Sequence, residues 1–138
     1  MFTDSLRKQH EETLSLINEI TSYLTEGSLT ENSQQVRLLL STLLGKANYH
    51  RGVEDTTLYP KLLQHELSEV RSVAERYYKG FIDTKDVLGN YSSKWASPNR
   101  IKENPLEFIG ETQSIFSKMT DRIDKENHEL FALADKLI

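Results

Sequence analysis

Apolar residues recur three and four positions apart along four long segments, a spacing that suits packed helices and little else. In the first segment Leu6, His10, Leu14, Ile17, Ile20 (or Thr21) and Leu24 form one stripe, which ends at Gly27. Thr30 and Asn32 are candidate N-caps for a second, whose stripe runs Val36, Leu39/Leu40, Leu43, Ala47, His50, Glu54 and Leu58 and reaches Tyr59-Pro60. The third holds Leu67, Val70, Val73/Ala74, Tyr77, Phe81, Thr84, Leu88 and Tyr91. Residues 92–105, with a Ser-Pro pair, Asn99 and the single Trp95, read as a loop. Pro105 then suits the first turn of a fourth helix bearing Ile109, Ile115/Phe116, Met119, Arg122/Ile123, Glu126, Leu130 and Leu133. Period-two alternation is weak and hairpin signals are missing. Short links between the first three helices favour antiparallel neighbours, so the expected fold is all-α, an up-down-up-down antiparallel four-helix bundle. No internal repeat and no low-complexity segment stands out.

Composition narrows the function classes. The 138 residues make one domain, with 37% hydrophobic and 28% charged residues, as in a soluble globular protein. A net charge of −4 gives no electrostatic case for nucleic acid, which calls for clustered Lys and Arg. Absence of Cys excludes disulfides, thiolate metal sites and cysteine nucleophiles. The segment MFTDSLRKQHEE lacks the apolar core of a signal peptide, and no apolar run approaches the ~18 residues of a membrane span. The expectation is a cytoplasmic protein without a membrane anchor.

Polar residues on the apolar stripes carry the chemistry. Burying a charge costs several kcal/mol unless it is paired or coordinates an ion. His10, His50, Glu54, Tyr77, Arg122 and Glu126 therefore make sense only if they meet inside the bundle. His50 and Glu54 lie four apart on one face, and so do Arg122 and Glu126. A His/Glu pair facing a carboxylate from another helix is a common way for bundles to build a metal site. Each residue has a plainer alternative: His10 at the stripe edge, Arg122 snorkelling outward, Tyr77 as a core aromatic. His65 and His128 read as surface residues.

With these residues in place, the chain resembles the hemerythrin-like, HHE cation-binding family over essentially its whole length. HRGVEDTTLYPKL, from His50 to Leu62, is similar to the family's histidine, carboxylate four later and Leu-aromatic-Pro ending. RIDKENHELFALADKL, from Arg122 to Leu137, resembles its closing helix, and His10 matches the first-helix histidine. The resemblance implies a di-iron centre with about five histidines and two bridging carboxylates. His10, His50, Glu54 and Glu126 match that set. The third helix carries Tyr77 and Phe81 where histidines are expected, and the fourth has Arg122. Two of the four helices have lost their nitrogen ligands.

The remaining two nitrogens and two carboxylates suit one divalent ion. An inward Arg122 about 5 Å from such an ion would repel it by roughly 7 kcal/mol at an effective dielectric near 20. The same guanidinium would satisfy Glu54 and Glu126, with Tyr77 donating to either. The function expected on this basis is a non-enzymatic binding or regulatory module, metal-free, with Arg122 in the place of the cation and a protein partner; Trp95 either offers that partner an anchor or, the favoured reading, tucks back against the bundle end. The alternative is a mono- or di-iron protein sensing or carrying O2, NO or iron, with metal at His10, His50, Glu54 and Glu126 and Tyr77 as a further donor. No nucleophile constellation or phosphate loop supports an enzyme.

Overall fold

A computed structural model describes all 138 residues, and every regular element in it is helical. Helix α1 spans Asp4–Thr21, α2 Glu26–Val53 and α3 Tyr59–Leu63; α4 spans Ser68–Lys94, α5 Pro98–Glu103, α6 Pro105–Lys125 and α7 Phe131–Leu137. Two five-residue π-helical segments, Glu54–Leu58 and Glu126–Leu130, join α2 to α3 and α6 to α7 without a break. Four long rods result, as the apolar stripes predict.

Cross-links along the rods fix their directions. Glu12 meets Lys46 while Gln9 meets His50, so α1 and α2 run antiparallel. Arg51 stacks on Tyr78 and Phe81, and Tyr59 packs edge-on against Tyr78, which sets α4 against the second rod. Tyr91 bonds Thr112 at one end of α4 and Tyr77 bonds Glu129 at the other, so the last rod reverses again. Thr3 clasps Asp135 and closes the first rod onto the last. The arrangement is the expected up-down-up-down bundle. No helix is long and apolar enough to cross a membrane.

The apolar interior is divided. One cluster, around Ile20, Leu40, Trp95 and Phe108, fills one end of the bundle. Another, around Leu6, Leu58, Tyr59, Leu130 and Phe131, fills the other. Between them lie the buried His10, His50, Glu54 and Glu126. The polar layer thus sits at mid-bundle, on all the long rods except α4.

Three local expectations are corrected. The second helix starts at Glu26, because Thr25 accepts the Ser28 N–H at 3.2 Å and caps it. Asn32 marks a kink inside that helix (φ −123°, ψ 25°), its side chain donating to the Ser28 carbonyl at 3.0 Å. Residues 92–105 are not a loop: α4 runs to Lys94, and α5 occupies Pro98–Glu103 behind its N-terminal proline. Trp95 is 0% exposed and packs edge-on against Phe108 at 5.1 Å, so it anchors the core and offers nothing to a partner.

Candidate metal centre

Each histidine is gripped from behind by an amide. His10 Nδ1 lies 2.7 Å from Asn127 Oδ1, and His50 Nδ1 lies 2.7 Å from Gln9 Oε1. An amide oxygen only accepts, so Nδ1 donates in both rings and Nε2 is the nitrogen turned inward. This is the arrangement that fixes tautomer and ring orientation in metal-ligating histidines. The supports cross over: Gln9 precedes His10 yet holds His50, and Asn127 follows Glu126 yet holds the histidine that faces it. His10 also stacks on Phe131 at 4.9 Å, and the two imidazoles are 4.4 Å apart. Sequence reasoning missed Gln9 and Asn127. The only available signal was an amide beside each candidate ligand.

The inward nitrogens face carboxylates. His10 Nε2 is 3.0 Å from Glu126 Oε1, and His50 Nε2 is 3.4 Å from Glu54 Oε1. Both Nε2 atoms are buried without a hydrogen-bond partner, as is Glu54 Oε2, while Glu126 Oε2 has only an ion pair. Burial lowers the His50 pKa, with Arg122 and Arg51 adding to the effect and Glu126 opposing it, so its ring is held neutral. Burial, then the neighbouring Glu126, pushes Glu54 well above the usual carboxylate range. For Glu126 burial acts upward too, but His10 against it and the charge of Arg122 outweigh it and hold the group low.

Both glutamates open a π segment. The Tyr59 N–H bonds the Glu54 carbonyl and the Phe131 N–H bonds the Glu126 carbonyl, each five residues on. π turns of this kind gather at functional sites, where an extra residue re-aims a side chain. They also expose a repeat that the sequence reading did not find. His50, Glu54, Leu58 and Tyr59 correspond at constant offset to Arg122, Glu126, Leu130 and Phe131. Arg122 is thus the counterpart of His50, and like it pairs with the glutamate four residues on.

Arg122 points inward rather than snorkelling. Its side chain is 27% exposed, and Nη2 lies 3.2 Å from Glu126 Oε2. Nη2 also donates to the Tyr77 carbonyl at 3.0 Å and lies 3.5 Å from the Tyr59 hydroxyl. Gly80 admits it, since a Cβ there would stand 3.4 Å from Nη1. The expected grip on both carboxylates is not made: the guanidinium pairs with Glu126 and forms no ion pair with Glu54. Tyr77 is corrected as well. Its hydroxyl donates to Glu129 at 2.7 Å and to the Lys125 carbonyl at 3.2 Å, away from Glu54 and Glu126. His128 is exposed, as expected, while the half-buried His65 accepts the Leu67 N–H and shapes the turn before α4.

Three of the donors stand close enough together to hold one ion. Ligand atoms of His10, His50 and Glu126 all lie within 4.8 Å of one another, and Glu54 stands beside His50. A transition metal with bonds of about 2.1 Å spans donor pairs of about 3.0 Å along an octahedral edge and about 3.4 Å in a tetrahedron. The two nitrogen–carboxylate gaps have those lengths.

No curated protein and no solved structure matched. The family model described as Hemerythrin HHE cation binding domain matches residues 1–134, nearly the whole chain. With its helical bundle and buried His/Glu layer, the chain belongs to the hemerythrin HHE cation-binding family.

Proposed function

We propose that the protein is a non-enzymatic module that binds one divalent transition metal, iron foremost, through His10, His50, Glu54 and Glu126, with Arg122 as a built-in second cation. The observation that carries this reading is the pair of inward Nε2 atoms. Both are presented by an amide behind the ring, both are buried without a partner, and both face a carboxylate. A nitrogen 3.0 Å from a carboxylate oxygen needs a proton or a metal ion between them, and a metal ion answers both inward nitrogens at once. Arg122 has taken the outer oxygen of Glu126 and leaves the inner one to that cation.

The repulsion of roughly 7 kcal/mol expected for an inward arginine applies to a bare guanidinium. Here the Glu126 carboxylate stands between guanidinium and ion and offsets most of that charge. A +1 group also repels the first ion less than a second divalent metal would. The arginine therefore makes the site mononuclear rather than empty. A bound ferrous ion supplies a redox-active Lewis acid. The chain's own part is to orient the donors, hold the rings in one tautomer and exclude a second ion.

Metal-free folding is the second reading, favoured by the Arg122–Glu126 pair, which already answers one buried charge. Anaerobic titration with Fe2+ separates the two. Saturation at one equivalent, lost in His50→Ala, supports the metal site; no saturable uptake by the wild-type chain supports the second reading.

A further inference from the structure

Beside the metal layer the bundle is open. A cavity of about 780 Å³ lies between α2, α4 and α6, within the range of sites that enclose small organic ligands, roughly 300–1,000 Å³. It exists because α4 meets the last rod mainly at its ends, through Tyr77 with Glu129 and through Tyr91 with Thr112 and Lys94 with Glu107. Between those ties Phe81, Thr84 and Leu88 are only half-buried, and Val87 is 43% exposed. Eight of its 24 lining residues are hydrophobic, which sets an apolar strip within an otherwise polar recess open to solvent.

The walls are sorted by chemistry. Phe81, Val87, Leu88, Ile115 and Met119 form an apolar side. The lining cations Arg51, Lys118 and Arg122 face it from α2 and α6. Of the lining acids, Asp121 pairs with Lys125, Glu129 with Arg76 and Tyr77, and Glu126 with Arg122, while Asp124 lies beside His128 and Glu54 beside His50. Lys118 has no ion-pair partner. Arg51 spends Nε on Asp55, while its Nη1 is buried without a partner on a side chain only 12% exposed. Lys118 and the Nη1 edge of Arg51 are thus the positive groups in the cavity wall that no protein partner answers.

We propose that this cavity binds a small amphipathic monocarboxylate, its head on Arg51 and Lys118 at the edge of the Arg122 guanidinium, its tail along Phe81, Val87, Leu88, Ile115 and Met119. A buried guanidinium nitrogen lacking a partner is satisfied by a carboxylate oxygen through a charge-assisted bond. The tail fills the space that α4 leaves. His10, His50, Glu54 and Glu126 line the same cavity, but the head and tail contacts assigned here use none of them, so the site goes beyond the metal reading.

Calorimetric titration with decanoate, below its micellar concentration, tests it on the protein as purified and again after Fe2+ loading. Saturable one-to-one binding is expected, strengthening about fourfold per methylene along hexanoate, octanoate and decanoate. Decanol should bind at least tenfold more weakly, and Arg51→Met/Lys118→Met should lose decanoate affinity by a similar factor. Val87→Trp, at a half-exposed position that tolerates bulk, should fill the recess and abolish binding while helicity persists. Decanol binding as tightly as decanoate would overturn the assignment of the head. Undiminished decanoate affinity in Val87→Trp, or no saturable heat in either metal state, would overturn the site.

Discussion

His50 and Arg122 hold the same place relative to their glutamates, and the pairs differ by one side chain. At His50 the partner is a neutral ring whose free nitrogen sits 3.4 Å from Glu54; at Arg122 it is a permanent cation 3.2 Å from Glu126. If the guanidinium is a fixed second cation, removing it should open the outer oxygen of Glu126 to the ion and lift a nearby positive charge. Arg122→Met is therefore expected to raise Fe2+ affinity at least tenfold in a competition titration; unchanged affinity would mean that the arginine does not sense the ion. The amides behind the rings make a separate prediction. Gln9→Leu or Asn127→Leu should cost 10- to 100-fold in metal affinity, as loss of ring-orienting partners does elsewhere. The change should appear in dissociation constants, with the far-ultraviolet circular dichroism unaltered.

At the scale of elements, the rods were legible because a helix must bury a stripe of period 3.6, and Val36, Leu40, Leu43, His50, Glu54 and Leu58 are buried as spaced. Arg122's inward course depends on Gly80 across the gap, a tertiary fact that no local pattern carries. Nor were the π segments visible, since one inserted residue hardly disturbs an apolar stripe. Their repeat was hidden because one copy replaces His by Arg. The stretch 92–105 looked like a loop for the reason that it hides α5: its prolines start helices as readily as they end them. Since the first π turn re-aims Glu54, deleting the exposed Thr56 should restore α-helical bonding and keep Leu58 and Tyr59 inward. The melting temperature should hold or rise while metal affinity drops at least tenfold. A full-affinity deletion variant would make the π turn incidental.

The whole molecule is closed by a clasp between its two ends. Thr3 donates its backbone N–H and its hydroxyl to Asp135, each at 2.8 Å, and Arg7 adds an ion pair at 3.4 Å. Burial pushes the Asp135 carboxyl up, but these donors outweigh it and hold its pKa below the ordinary value. A depressed carboxyl stabilises the fold above its ordinary pKa, near 4, and that contribution fades as pH falls through the folded value. Asp135→Asn should therefore cost about 1–3 kcal/mol near neutrality, and the gap from wild type should narrow steadily as pH falls below about 4. A gap independent of pH would show that the charge contributes nothing.

The clasp and the two apolar clusters hold the rods in register around the polar layer, so the content of that layer is what the architecture serves. Elemental analysis of protein purified without chelator or affinity metal, followed by Fe2+ addition without oxygen, measures it directly. One metal ion per chain at saturation, with a melting temperature several degrees higher, is the predicted result. Two ions per chain, or none with an unmoved melting temperature, would contradict a single ion held opposite a fixed arginine.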